Sequence, residues 1–138
     1  MPDTWTQTIV TTDTALRMIA IALTEGEKAD VKVSATVVDP AMGLVAFARA
    51  DGATPHSVET SRRKANTAAS TRRASGWIPS GLELMLPIAA GNLLTNVTGG
   101  VPLVLDGQHA GGLGIAGGTP AQDAEIAQAT LDAFAGPA

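Results

Sequence analysis

From His109 to Gly118 the chain reads His-Ala-Gly-Gly-Leu-Gly-Ile-Ala-Gly-Gly, and few backbone arrangements accommodate such a run. Just before it, Asp106-Gly107 is a type I′ hairpin turn signal between Val101–Leu105 and Gln108–Ala116. Read as a strand, the run puts Ala110, Gly112, Gly114 and Ala116 on one sheet face. His109, Leu113 and Ile115 then occupy the other. A face paved with Gly and Ala lets a helix, a partner subunit or a flat ligand lie directly on the backbone. Gly112 and Gly114 are therefore candidate ligand-contact positions. The spacing Gly112-x-Gly114-x-x-Gly117 also matches a dinucleotide-binding loop. That fold needs a second parallel strand after the helix, and only 21 residues follow Gly117.

The remaining elements are legible from caps and periodicity. Thr11-Thr12-Asp13 precedes helically spaced Ala15, Leu16, Ile19, Ala20 and Leu23, which predicts a helix over 13–29. Val31–Val38 alternates, with Val31, Val33, Ala35 and Val37 on one face, and Asp39–Gly43 turns it into a second strand, Leu44–Arg49. Thr54-Pro55 opens a helix over 55–74 that Gly76 stops. Ser80-x-x-Glu83 caps a short helical region interrupted by Pro87, and Thr119-Pro120-Ala121-Gln122 starts a C-terminal helix to about residue 134. Helix, hairpin, helix, hairpin, helix is not the alternation of a parallel sheet. It predicts one α+β domain over 1–138, an antiparallel sheet covered by helices.

Charge singles out one element. The net charge is −4, yet Pro55–Ala74 carries Arg62, Arg63, Lys64, Arg72 and Arg73 against Glu59 alone. That local +4 leaves −8 elsewhere, a balance unsuited to general nucleic-acid binding. On a helical wheel Val58, Ser61, Ala65, Ala68, Ala69 and Arg72 share a face, flanked by Arg62 and Lys64. Arg63 and Arg73 point to solvent with Asn66 and Ser70. Lys64 and Arg72, bordering a close-packed face, need an anion: Asp39 or Asp51 from within, or a ligand carboxylate. Arg49 shares a strand face with Val45 and Phe47, and a pair with Asp51 would fix the following turn. His56 opens the basic helix, where a neutral imidazole could ligate iron or act as a base. His109 reads as a surface residue.

With no cysteine, disulfides, iron–sulfur clusters, thiolate zinc and thiol nucleophiles are excluded, and two histidines leave no polyhistidine metal site. No apolar run approaches membrane-span length and no signal peptide opens the chain, so a soluble cytoplasmic protein with neither membrane nor nucleic-acid partner is expected.

An ordered set of short motifs resembles the GlcG/HbpS-like family, which includes the C-terminal domain of PduO-type proteins. The matching pieces are Val37-Val38-Asp39 through Gly43, Ala46-Phe47-Ala48-Arg49 with Asp51-Gly52-Ala53, and Lys64-Ala65 with Thr67-Ala68. They continue as Gly99-Gly100-Val101-Pro102, Asp106-Gly107, Gly114-Ile115 and Gly117-Gly118-Thr119-Pro120-Ala121-Gln122-Asp123. The resemblance implies a profilin-like fold whose antiparallel sheet has five strands, the fifth being Trp5–Val10, assembled into homo-oligomers. Some members of that family bind or degrade haem. This chain has Ala50 and Ala116 where the family often has Met and Ser, and no histidine in its first helix. A haem cofactor here would rely on His56, His109 or an oxygen ligand.

Two functions are open on these residues. One is a binding domain for a flat anionic ligand such as haem, its carboxylates held by Arg62, Lys64 or Arg72, with Asp51, Gly112 and Gly114 lining the site. The other is a cofactor-independent isomerase, tautomerase or lyase acting on an anionic catabolic intermediate. There Lys64 or His56 would move a proton and Arg49 or Arg72 would hold the charge.

Overall fold

The computed structural model describes residues 1–137 and contains, in chain order, α1 (Thr12–Lys28), β1 (Ser34–Val38), β2 (Leu44–Arg49), α2 (Ser57–Thr71), α3 (Met85–Ala89), β3 (Gly100–Leu105), β4 (Gln108–Ala116) and α4 (Pro120–Ala135). The four strands form one antiparallel sheet in the order β2-β1-β4-β3. Helices α1 and α4 pack together on one face, and α2 covers the other. Among the described residues, no helix is long and apolar enough to cross a membrane.

The expected fifth strand does not form. Alongside β4, β1 reaches only to Gly112, and the segment ahead of α1 adds a single bond there, from the Val10 N–H to the Ala110 carbonyl (3.0 Å). One bond is not a ladder, so Trp5–Val10 runs past the sheet without joining it.

The caps behave as their sequences require. The Thr11 hydroxyl accepts from the Thr14 N–H, and Thr119 and Gln122 complete a reciprocal capping box with Pro120 at the first position of α4. Asp106 and Gly107 both take positive φ, as a type I′ turn needs. Helix α2 ends earlier than its pattern suggests, because Arg72 adopts the left-handed conformation (φ 58°) and closes it before Gly76 is reached.

The face of Val33, Ala35, Val37, Leu113 and Ile115 joins Met18, Ile19, Ala22, Ile126 and Ala127 in the main core. The opposite face is built from small residues. Gly112 and Gly114 lie directly beneath α2, where an added Cβ would collide with the carbonyl oxygens of Ala65 and Ser61. Two hydroxyl pairs cross the same interface, Ser34–Ser57 at 2.8 Å and Thr36–Ser61 at 2.7 Å. The Gly–Ala face therefore takes a helix, and no ligand can lie on Gly112 or Gly114 while α2 is docked.

Alternation along β4 is broken once. Leu103 pairs with Gly111 and Val104 with His109, so Ala110 is an extra, bulged residue. The bulge exchanges the expected faces at this end. Ala110 enters the main core, and His109 turns towards α2.

Asn66, expected to point to solvent, is buried, and so is Thr67. Asn66 donates to the Leu93 carbonyl, Thr67 exchanges bonds with Thr95, and Arg63 donates to the Asn92 carbonyl. These clips hold the α3 region against α2 by its backbone, leaving Leu84, Met85 and Ile88 exposed.

Replacing Gly114 by Ala puts a methyl group against helix backbone, an overpacking that costs about 1–3 kcal/mol or more. Urea denaturation of Gly114→Ala should show at least that loss. Ser70→Ala, on the exposed side of α2, should stay near wild type. Equal stability of the two variants would refute the close-docking account.

Candidate functional site

Lys64 projects from α2 into the end of the sheet and is 1 % exposed. Its Nζ donates to the Ile115 carbonyl and to Asp123 Oδ2, each at 2.8 Å. The second oxygen of Asp123 accepts the Gly118 N–H at 2.9 Å. Asp123 stands in the first turn of α4, where the helix dipole favours a carboxylate. The pair thus ties α2, the end of β4 and the start of α4 together.

The anion that Lys64 needs is internal, but it is neither Asp39 nor Asp51. Asp39 is spent on its own turn, accepting from the Ala41 and Gly43 N–H groups. Asp51 is exposed and forms no ion pair with Arg49, which is exposed too. Desolvation lowers the Lys64 pKa below the ordinary lysine value, against the upward pull of its hydrogen bond and charge interaction with Asp123.

Around this pair lies a cleft of about 350 Å³ lined by His56, Thr60, Lys64, Gly117, Gly118 and Asp123. It brings together two of the expected proton carriers, Lys64 and His56. His56 is exposed at the mouth, and its side chain makes no capping bond. The third expected residue, Arg49, lies with Asp51 in a separate cleft beside α1. Arg62 is exposed and lines neither.

A second cleft, about 390 Å³, opens at the other end of α2 and is lined by Trp5, Gln7, Arg72, Gln108 and His109. Its parts arrive from three elements. Arg72 is placed by the left-handed close of α2 and is exposed, with no ion pair among the described residues. His109 is turned in by the β4 bulge, half-buried, with Nε2 2.8 Å from the Ala69 carbonyl. Trp5, which does not join the sheet, stands 75 % exposed beside them. Arg73, by contrast, stacks on Trp77 at 4.5 Å.

The largest of the described cavities, about 680 Å³, lies between α1, the end of α4 and the outer edge of β3. It is bordered by Val10, Leu103, Leu131 and Phe134, with Arg17 5.2 Å from the Phe134 ring centre, and contains no histidine. Sequence reasoning missed Arg17, Asp123 and Trp5. Only Asp123 carried a signal, its place in the first turn after the Thr119 capping box.

Lys64→Ala would leave Asp123 buried and unpaired, a change that costs about 3–5 kcal/mol. Lys64→Met combined with Asp123→Asn removes both charges and keeps an acceptor for the Gly118 N–H. It should recover most of that loss in urea denaturation at neutral pH, and a double variant no better than Lys64→Ala would contradict the pairing. The depressed Lys64 pKa also fixes a sign. Between the lowered value and the ordinary lysine value the unfolded chain binds more protons, so wild-type stability relative to the double variant should rise with pH across that window.

Comparison with known proteins places this geometry. The model of the family described as "Haem degrading protein HbpS-like" matches residues 10–132. Protein GlcG of Escherichia coli K12 is 36% identical over 115 residues, covering 80% of this chain and 83% of that protein. The crystal structure of Klebsiella pneumoniae protein ORFY superposes with a TM-score of 0.91 at 26% identity, over 100% of this chain and 99% of the other. A crystal structure of a PduOC–haem complex superposes with a TM-score of 0.81 at 25% identity, over 89% and 93% of the two chains. Sequence and fold agree from the first helix to the last, and the chain belongs to the HbpS-like family.

Proposed function

We propose that this protein is a binding domain for a flat, anionic ligand of the haem class, taken up in the cleft of Trp5, Arg72 and His109. The observation that carries the reading is the juxtaposition of an exposed indole, an arginine with no acid partner and a histidine in one cleft. An indole offers a flat apolar surface for a conjugated ring, and a guanidinium matches a carboxylate in a two-point fork. The cleft's volume lies within the range of small-molecule sites. The family's description and the neighbouring PduOC–haem complex support the same class of ligand.

The other clefts lack this combination of groups. The largest has apolar walls and Arg17, but no histidine. The Lys64 cleft has His56, but its cation is already held by Asp123 and Ile115. The His109 cleft, otherwise lined by Thr6, Gln7, Thr8 and Gln108, offers Trp5 for a ring face and Arg72 for a carboxylate. When bound, haem would supply its own iron-centred chemistry, and the chain's part is to bind and orient it.

A cofactor-independent isomerase, tautomerase or lyase is the second reading, and the lowered pKa of Lys64 beside His56 is what favours it. A substrate would have to take Lys64 from two acceptors at once, so this reading stands behind the first.

Titration of the purified protein with ferric haem should give a saturable shift of the Soret band at one haem per chain. Arg72→Ala removes a charge-assisted hydrogen bond of about 1.5–3 kcal/mol, an affinity loss of about 10- to 100-fold, and Trp5→Ala should also weaken binding. Arg62→Ala should change nothing. Non-saturating binding, or binding indifferent to both Arg72 and Trp5, would sink the proposal.

A further inference from the structure

Helix α3 is amphipathic the wrong way round. The N–H groups of Leu86, Ile88 and Ala90 bond to the carbonyls of Leu82, Leu84 and Leu86, so helical winding runs from Leu82 to Ala90. Leu86, Pro87 and Ala90, on the side towards the molecule, are only half-buried. The outward side carries Leu84, Met85 and Ile88, which are 74 %, 64 % and 63 % exposed, with Leu82 and Ala89 beside them. A surface helix ordinarily puts polar residues there.

This face is held in place through its backbone. Asn66 and Arg63 donate to the carbonyls of Leu93 and Asn92, and the Asn92 N–H returns to the Pro87 carbonyl at the end of α3. On the other flank the Ile78 N–H is held by Asn96 Oδ1. The apolar side chains are thus presented in a fixed arrangement, which lowers the ordering cost of covering them. Leu82, Leu84, Met85, Ile88 and Leu93 together expose on the order of 600 Å², the upper end of what a monomer leaves as one apolar patch. Two such patches face to face would bury about 1,200 Å², the lower end of a stable interface between proteins.

Charge decides the occupant. From Gly76 to Thr98 there is no lysine or arginine, and one acid, Glu83. A helix lying on a membrane surface relies on cations to hold anionic headgroups, and none is present in this segment. A charged protein partner would likewise find nothing to pair with. A second copy of this chain brings the same uncharged surface. At 100° per residue Glu83 falls on the far side of the winding from Met85 and Ile88, so no charge is buried when two copies meet.

We infer that the outward face of α3 is an isologous interface, α3 of one chain packing on α3 of a second copy about a two-fold axis. None of its residues lines the cleft of Trp5, Arg72 and His109, so the inference goes beyond the binding reading and does not depend on it.

Sedimentation equilibrium tests it on the full chain. Wild-type protein should sediment as a dimer, or as a multiple of one. Leu84→Glu combined with Ile88→Glu places like charges across the axis and should weaken the association roughly tenfold or more, shifting the protein towards half the wild-type mass. Leu16→Glu, at an equally exposed leucine on α1, should leave the mass unchanged. Because the chain has no cysteine, a second measurement is independent of the charged variants. A short bis-maleimide should link copies of Met85→Cys in high yield and copies of Leu16→Cys poorly. A monomeric wild type would overturn the inference, and flotation of that monomer with phosphatidylglycerol vesicles, lost in the double variant, would give the face to a membrane. A wild-type assembly that survives the double variant, with no preferential linking through Met85→Cys, would place the interface elsewhere and overturn it too.

Discussion

The near-contact between α2 and the sheet is the constraint on which the rest of the molecule depends. A helix can lie this close to a strand only where the strand has no side chains, and Gly112 and Gly114 supply that gap. The helix answers with Ser57, Ser61, Ala65 and Ala69, none larger than a hydroxymethyl group. Dispersion contacts form along two backbones, and the Ser34–Ser57 and Thr36–Ser61 pairs satisfy the hydroxyls that closeness would otherwise strand. Close docking fixes the height of α2 over the sheet. That height decides what its longer side chains can reach.

Midway along the helix the reach is inward. Lys64 passes beside Gly99 and finds the Ile115 carbonyl and Asp123. Burying the pair carries a desolvation cost that the interaction offsets only because every acceptor is well placed, and the return is a joint between three elements. At the C-terminal end the reach is outward. The helix stops at Arg72 in a left-handed turn, the bulge in β4 brings His109 under Ala69, and the unpaired N-terminal segment leaves Trp5 across the opening. The middle of α2 is thus a closed polar lock, and its C-terminal end an open cleft with an unspent cation.

Much of this was legible from the chain. Thr11, Thr119 with Gln122, and Asp106-Gly107 are local signals with local causes, and they set helix starts and a turn as read. The Gly–Ala alternation in β4 correctly called for a backbone at close range, although it could not choose between helix and ligand. Three features were not legible. The partner of Lys64 lies 59 residues away in sequence, and no local pattern selects Asp123 over Asp39 or Asp51. The side of the sheet taken by His109 depends on one extra residue at Ala110, and a period-two count has no means of seeing a bulge. The absent fifth strand depends on how far β1 runs along β4, which is a property of the assembled sheet. The proposed ligand cleft accordingly keeps Arg72 and takes His109 in place of His56, while Lys64 is held by Asp123 and the Ile115 carbonyl.

The location of the ligand is the claim on which the functional account turns. Chemical-shift mapping by two-dimensional NMR with a diamagnetic gallium protoporphyrin tests it directly, because the three clefts at issue share only Thr8. The account predicts shifts confined to residues 5–8, 69–73 and 108–110. Shifts centred on residues 56–64 and 117–123, or along residues 9–18 and 131–135 without those near His109, would contradict it.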